Sequence, residues 1–275
     1  MIGHKNIEKI FVKLIKENKL SHGYIFFGEP QVGKFTFAKN LANLIEAGKF
    51  AESEKPLQEL TLVMPANQES QSIGIDEIRS LKNFLYQKPI NSTLRIAIVD
   101  NAHLLTDHAQ NAILKISEEP PEHGLIIMIV SNPEVLLETL RSRFQRIYFP
   151  RIRTDEIEKM LVEKGESEKE ANKIARLAFG RPGRAIDLIN SEKFAEVDKL
   201  AKRYLSGKIA KKNLIDTISG SDARVKPELF LETLIAELMV DTKGNIEKIK
   251  SATERLKTMS QFNTNKRMQL ESALI

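Results

Sequence analysis

The chain has 275 residues, of which 41% are hydrophobic and 29% charged, with a formal net charge of +5 and no cysteine. That length and apolar content suit a folded protein of two or three domains, not a disordered chain. The missing cysteines exclude disulfides, thiolate zinc sites and a cysteine nucleophile, and the mild basic excess is compatible with nucleic-acid contact without indicating it.

His4, His22, His103, His108 and His123 lack metal-ligand spacing, so no metal site is expected. The start of the chain lacks the apolar core of a signal peptide, and no stretch approaches the ~18 apolar residues of a membrane span. The expectation is a cytoplasmic protein with no membrane partner.

In chain order, Ile7, Ile10, Phe11, Leu14 and Ile15 repeat at helical spacing and predict an opening amphipathic helix. Tyr24-Ile25-Phe26-Phe27 reads as a strand. It runs into Gly28-Glu29-Pro30-Gln31-Val32-Gly33-Lys34, which fits the phosphate-cradling pattern G-x-x-x-x-G-K. In that pattern the glycines let backbone N–H groups point at phosphate oxygens, and the lysine reaches the outer phosphates. The next residue should be Ser or Thr, whose hydroxyl ligates Mg²⁺. Here it is Phe35, and Thr36 follows one residue later, turned by about 100° around the helix and so directed elsewhere.

A helix with Phe35, Ala38, Leu41, Ala42 and Ile45 on its inner face follows, then a polar loop over 46–55 and a short strand over 60–64. Ile75 opens a helix that runs to about Tyr86. Arg95-Ile96-Ala97-Ile98-Val99-Asp100 is an apolar strand ending in an acid, the expected companion of a phosphate loop. In hydrolysing relatives of this architecture a glutamate follows and polarises water. Here Asn101 follows, and its amide cannot act as a base. A helix from Thr106 to Glu119 stops at Pro120-Pro121, Leu125–Val130 reads as a strand buried on both faces, and Ile147–Phe149 as a last strand ended by Pro150.

These elements predict an α/β fold over residues 1–152, a parallel sheet with helices on both faces. From Thr154 onward the strand signals vanish. Three short helices are expected over 153–205, broken at Gly180-Arg181-Pro182-Gly183, and an all-helical segment over 206–275, with the boundary at Ser206-Gly207. No basic stripe interleaved with aromatics stands out.

Asn111-Ala112-Ile113-Leu114-Lys115-Ile116-Ser117-Glu118-Glu119-Pro120-Pro121 resembles the N-A-L-L-K-x-L-E-E-P-P signature of bacterial sliding-clamp loaders. Ser142-Arg143-Phe144-Gln145 resembles their S-R-C-Q segment, with Phe144 in place of Cys. Ser72–Arg79, Ser131-Asn132, Gly180–Ala185 and Asn263–Glu271 fall in the same order as in that family. The resemblance spans essentially the whole chain. With the eroded loop, it is to the delta prime branch of the DNA polymerase III clamp-loader family more than to the ATP-hydrolysing tau/gamma branch.

The resemblance implies a P-loop AAA+ module, a small helical lid and a helical collar that joins five subunits in a ring. It implies tau/gamma and delta subunits as partners, with the sliding clamp and primer-template DNA engaged through the complex. It places Arg143 at the subunit interface as an arginine finger acting in trans on a neighbour's ATP. Gly28, Gly33, Lys34, Thr36 and Asp100 make a degenerate nucleotide site, and Asn132 and Arg184 match the family's nucleotide-sensing positions. ATP binding is expected to be weak or absent, with no cofactor required. The four-cysteine zinc module of many relatives is missing, so no zinc is expected, and the collar segment is short.

Two other readings stand beside that of a non-hydrolysing clamp-loader subunit. One is an ATP-hydrolysing motor, or another AAA+ ATPase, with Glu118 or Glu119 as base. The other is a stand-alone nucleic-acid-binding protein.

Overall fold

The structure is a computed structural model that describes residues 1–65, 72–219, 227–239, 242–261 and 265–274. It divides into two compact units, Met1–Arg153 and Thr154–Ile275.

In the first unit, five parallel strands lie in the order β2-β3-β4-β1-β5. They are β1 (Gly23–Phe27), β2 (Leu60–Val63), β3 (Arg95–Val99), β4 (Gly124–Val130) and β5 (Gln145–Tyr148). β3 and β4 are buried along their whole length, as their unbroken apolar runs require of strands covered on both faces. Side chains alternate between two cores. Ile25, Ala97, Val99, Ile126 and Met128 face α3 (Ile75–Leu85), α4 (Asp107–Glu118) and α5 (Glu138–Arg143). Tyr24, Phe26, Ile96, Ile98 and Ile127 face α1 (Lys5–Lys16) and α2 (Lys34–Ala47). Phe11, Phe26, Phe37 and Phe149 meet in the second core with ring centroids 5.0 to 5.8 Å apart. Such tilted pairs add about 1 kcal/mol each beyond the area they bury.

The predicted strands and helices of this unit are present, with ends shifted by a residue or two. Thr106 caps α4 by accepting from the Ala109 N–H at 3.2 Å, and Glu77 caps α3 by accepting from the Gly74 N–H at 3.0 Å. Ile10 departs from the expected face: it is exposed, and Phe11 alone in α1 is fully buried. At the N-terminal edge of the sheet, Glu59 and Arg95 form a buried ion pair at 3.4 Å. Glu59 also accepts from the Ile90 and Asn91 N–H groups, and the Arg95 guanidinium lies 4.6 Å from the Phe84 ring centroid. The two charges fix the loop that leads into β3.

The second unit is all-helical: α6 (Thr154–Glu163), α7 (Glu168–Leu177), α8 (Pro182–Ile189), α9 (Glu192–Leu205), α10 (Lys211–Ser219), α11 (Pro227–Leu238), α12 (Thr242–Gln261) and α13 (Lys266–Ala273). Four helices, not three, precede residue 206. α9 supplies Val197, Leu200 and Ala201 to a core that also holds Phe230, Leu231 and Leu234 of α11. The boundary read at Ser206-Gly207 therefore falls within this compact unit. Ions tie the same helices together: Lys173 of α7 pairs with Asp198 of α9 and lies 2.5 Å from Glu237 of α11. In the closing motif, Asn263 and Thr264 lie outside the described residues, whereas Asn265 caps α13 through the Met268 N–H.

Phe144, the residue that departs from the S-R-C-Q pattern, is buried and packs edge-on to His22 at 5.8 Å. A Cβ on Gly23 would fall inside the Phe144 ring. Gly23→Ala is therefore expected to destabilise by about 1–3 kcal/mol through overpacking. Phe144→Cys alone is expected to cost a few kcal/mol through the cavity it leaves. In the double variant the clash is relieved, so urea denaturation of the four proteins should show the two losses falling short of additivity by about 1 kcal/mol or more. Strict additivity would mean that the ring does not select glycine at 23.

Candidate functional site

Parallel pairing puts the ends of three strands at one edge. Phe27 of β1 lies opposite Val130 of β4, and Val99 of β3 opposite Met128. The loops that follow β1, β3 and β4 therefore leave the sheet together and bring Gly28, Asp100 and Asn132 to the same edge. The Gly28 N–H donates to Ser131 O at 3.3 Å. Gly28 (φ +139°), Gln31 (φ +64°) and Gly33 (φ +104°) take left-handed backbone conformations, and Gly33 caps α2. This is the curvature a phosphate cradle needs.

Lys34 turns back into its own loop. Its Nζ donates to Gly28 O and to Glu29 O, each at 2.6 Å. Burial pushes its pKa down to about 8, against the smaller opposing pull of Asp100 and Glu29. Asp100 is shifted the other way: burial raises its pKa, while the Asn101 backbone N–H, Lys34 and His103 lower it in part. Asn101, itself left-handed at φ +51°, donates from its amide to Asp100 Oδ2 at 3.1 Å. Glu29, at the loop tip, pairs with Arg151 at 2.6 Å. That partner is 122 residues away in the chain, and local sequence gives no signal of it.

The metal half of the site is different. Phe35 stands where the hydroxyl ligand belongs, and its ring packs against the aromatic core, with Lys39 Nζ 5.8 Å from the centroid. Thr36 is exposed. At Asn132 the side chain accepts from the Glu134 N–H at 3.0 Å and starts a short 3₁₀ turn. The residues present suit a phosphate. Of the two positions that would hold a nucleotide-bound Mg²⁺, Asp100 is kept and position 35 carries an apolar ring in place of a hydroxyl, while position 101 lacks the carboxylate that would serve as base.

The other two candidates lie elsewhere. Arg143 ends α5, just before β5 begins at Gln145, which pairs with Tyr24 near the start of β1. It therefore sits at the N-terminal edge of the sheet, and the phosphate loop at the C-terminal edge. A five-residue strand separates them, roughly 15 Å at ~3.3 Å per residue. Arg143 donates to Glu118 Oε1 at 3.2 Å and to Thr139 O at 3.2 Å. Glu118, one of the two candidate bases, is thus an ion-pair partner 25 positions away in sequence, and Glu119 accepts at its backbone carbonyl from the Tyr86 hydroxyl at 2.9 Å. Arg184 belongs to the second unit, where it pairs with Glu232 of α11. Its pKa is lowered to about 10 by burial first and by neighbouring Arg181 second.

Among the described residues no cluster of His, Asp or Glu could hold a metal ion, and no helix is long and apolar enough to cross a membrane.

Comparison with known proteins follows the same outline. The family model for DNA polymerase III, delta subunit, matches residues 3–153. DNA polymerase III subunit tau of Bacillus subtilis is 31% identical over 168 residues, covering 57% of this chain and 30% of that protein. DNA polymerase III subunit delta' of the same organism is 28% identical over 204 residues, covering 69% and 60%. The chain spans about a quarter to a third of the gamma/tau relatives it matches. Among solved structures, a gamma-subunit-related protein of Thermotoga maritima aligns over 96% of this chain and 97% of its own at 22% identity, with a TM-score of 0.53. A RuvB from the same organism aligns over 100% and 87% at 14% identity, with a TM-score of 0.51. At these identities the likeness is one of fold.

Lys34 provides a pH test of the site. Its folded pKa of about 8 lies below the ordinary 10.5, so charged Lys34 costs stability at and below pH 8. That cost fades as pH rises from 8 to 10.5. A Lys34→Met variant has no such titration. The stability difference between the two proteins should shift toward the wild type by up to about 3 kcal/mol between pH 7 and 10.5. Urea midpoints at the two pH values measure this, and a difference independent of pH would show that Lys34 is not desolvated.

Proposed function

We propose, starting from the fact that this chain belongs to the DNA polymerase III delta-subunit family of bacterial clamp-loader AAA+ proteins, that it is a non-hydrolysing, delta prime-like subunit of the loader. It would support ATP-dependent loading of the sliding clamp onto primed DNA within a hetero-pentameric ring that includes tau/gamma and delta. Residues 153–205 would serve as lid and 206–275 as collar.

The observation that carries this reading is the division of the first unit into two edges. At one edge the phosphate loop keeps its backbone and lysine but has Phe35 packed into the core in place of a metal ligand and Asn101 in place of a base. At the other edge stands Arg143, about a strand's length from its own loop. An arginine so placed cannot serve the nucleotide site of its own chain. It can reach out of the domain, where its guanidinium would stabilise charge on a neighbour's transferring γ-phosphoryl. Its present tie to Glu118 is half-exposed on both sides. Pairs of this kind are worth at most about 1 kcal/mol, so releasing Arg143 to a phosphate costs little.

A tau/gamma-like ATPase is the second reading. Lys34 and Asp100 remain beside the loop, and the gamma/tau proteins are among the relatives matched. It requires a metal ligand and a base from elsewhere.

The test is ATP turnover by a loader reconstituted with tau/gamma, delta, clamp and primed DNA, with Arg143 intact or replaced. With equal assembly confirmed, Arg143→Ala should lower turnover tenfold or more, about 1.4 kcal/mol of barrier. Unchanged turnover in an intact ring would remove the finger role. Mg²⁺-dependent turnover by the purified chain alone, abolished by Lys34→Ala, would establish the ATPase reading instead.

A further inference from the structure

The second unit carries a charge arrangement that the phosphate loop and Arg143 do not explain. From Lys199 to Lys212 the sequence holds six cations (Lys199, Lys202, Arg203, Lys208, Lys211 and Lys212) and no acid, and the next acid is Asp216. Six positive charges in 14 residues exceed the +5 of the entire chain. Read linearly, the cluster is cut in two by the boundary at Ser206-Gly207, and neither half stands out. The fold rejoins it. Lys199, Lys202 and Arg203 occupy one face of the last turns of α9 at i, i+3 and i+4 spacing. The chain then reverses tightly: the Gly207 N–H donates to Tyr204 O at 3.0 Å and the Lys208 N–H to Arg203 O at 2.8 Å. Gly207 at φ +69° makes that turn possible. Five residues after Ser206, Lys211 and Lys212 open α10.

The cluster is exposed and lacks counter-charge. Lys202, Arg203, Lys208, Lys211 and Lys212 are all solvent-exposed. Among the described residues only Lys202 of the six has a carboxylate partner, Asp198 at 2.7 Å, which Lys173 already shares. Lys211 and Lys212 sit in the first turn of α10, which contains no acid. The positive pole of the helix repels them there, by about 0.3–1 kcal/mol each. Elsewhere in the same unit three arginines and lysines do find carboxylates: Arg184 with Glu232, Lys266 with Glu228, and Arg267 with Asp216 and Glu271.

We propose that the α9–α10 turn is a direct contact site for the phosphate backbone of nucleic acid. The composition favours phosphates over an acidic protein surface. The core of a protein interface is enriched in aromatic residues and depleted in lysine, whereas this turn is lysine-rich, Tyr204 and Ile209 pack against the helical core, and Leu205 is the one large apolar side chain it exposes. Lysines on long stems are suited to positioning a backbone through its phosphates, without reading sequence. The inference is independent of the role proposed for Arg143, because it concerns a different unit and a different readout.

The experiment measures binding of the full chain to a fluorescein-labelled 25-base-pair duplex by anisotropy across a salt series. The wild type is compared with Lys208→Gln/Lys211→Gln/Lys212→Gln. A control, Lys5→Gln/Lys9→Gln/Lys16→Gln, removes the same charge from the exposed face of α1. The turn variant should bind at least tenfold more weakly at 50 mM salt. Each lost phosphate contact removes about 0.9 from the slope of log K against log salt, so the slope should flatten by about 2 to 3. The control should keep the wild-type slope. Circular dichroism and thermal melting establish that the variants are folded. Equal losses in the two triple variants, or no loss in the turn variant, would overturn the proposal. So would equal affinity for poly-L-glutamate of matched charge, which would assign the turn to acidic polypeptides.

Discussion

The first unit depends on the close approach of Gly28 to Phe149. The Phe149 N–H donates to Phe27 O at 2.8 Å and the Gly28 N–H to Ser131 O, so the ends of β1, β4 and β5 are drawn together where the phosphate loop begins. A side chain at 28 would collide with the Phe149 carbonyl oxygen, a backbone atom that cannot rotate away. Glycine is thus required there by packing, whatever the loop binds. Gly33 is required for another reason: space around it is open, but its φ of +104° suits no side chain. Position 35 is under neither constraint. Its side chain leaves the first turn of α2, and an apolar ring there gains burial against the aromatic core. The backbone of the motif is therefore fixed by the fold, while its metal chemistry is free to be lost.

Sheet polarity determines what such a module can still do. In a parallel sheet all loops that follow strands gather at one edge and all those that precede them at the other. The eroded loop occupies the first edge and Arg143 the second. The edge that carries Arg143 is therefore built independently of the edge that carries the loop. Phe144 belongs to that edge: by filling the space over Gly23 and packing edge-on to His22, it anchors the end of α5 on which Arg143 is carried.

Much of this was legible in the sequence, because the relevant signals are local. The loop pattern, the strand ending at Asp100, the helix stopped by Pro120-Pro121 and the uninterrupted Leu125–Val130 run each reflect neighbouring residues, and each element is present. What escaped was decided by distant packing. Ile10 fits the helical repeat but has no element above it, so periodicity alone placed it inward. The pairing of Glu118 with Arg143 and of Glu29 with Arg151 joins segments that no spacing rule connects. α9 was missed as a separate helix because its buried Val197, Leu200 and Ala201 complement α11, beyond the supposed boundary, and not the helices before it.

The helical unit satisfies the charge of Arg184 internally. Arg184 is present, but its guanidinium is buried against Glu232, and α11 supplies a second acid, Glu237, to Lys173. A phosphate that recruited Arg184 would have to displace Glu232 and leave a carboxylate buried among helices. Both side chains keep 17–18% of their surface, so separating them costs more than the ~1 kcal/mol of an exposed pair and less than the ~3–5 kcal/mol of a fully buried one. The burial that lowers the Arg184 pKa to about 10 also makes an unpaired charge at this position costly. Glu232 is thus the counter-ion of Arg184 within the helical unit. At this position, as at Lys34 in the loop, a cation is held by partners within its own unit.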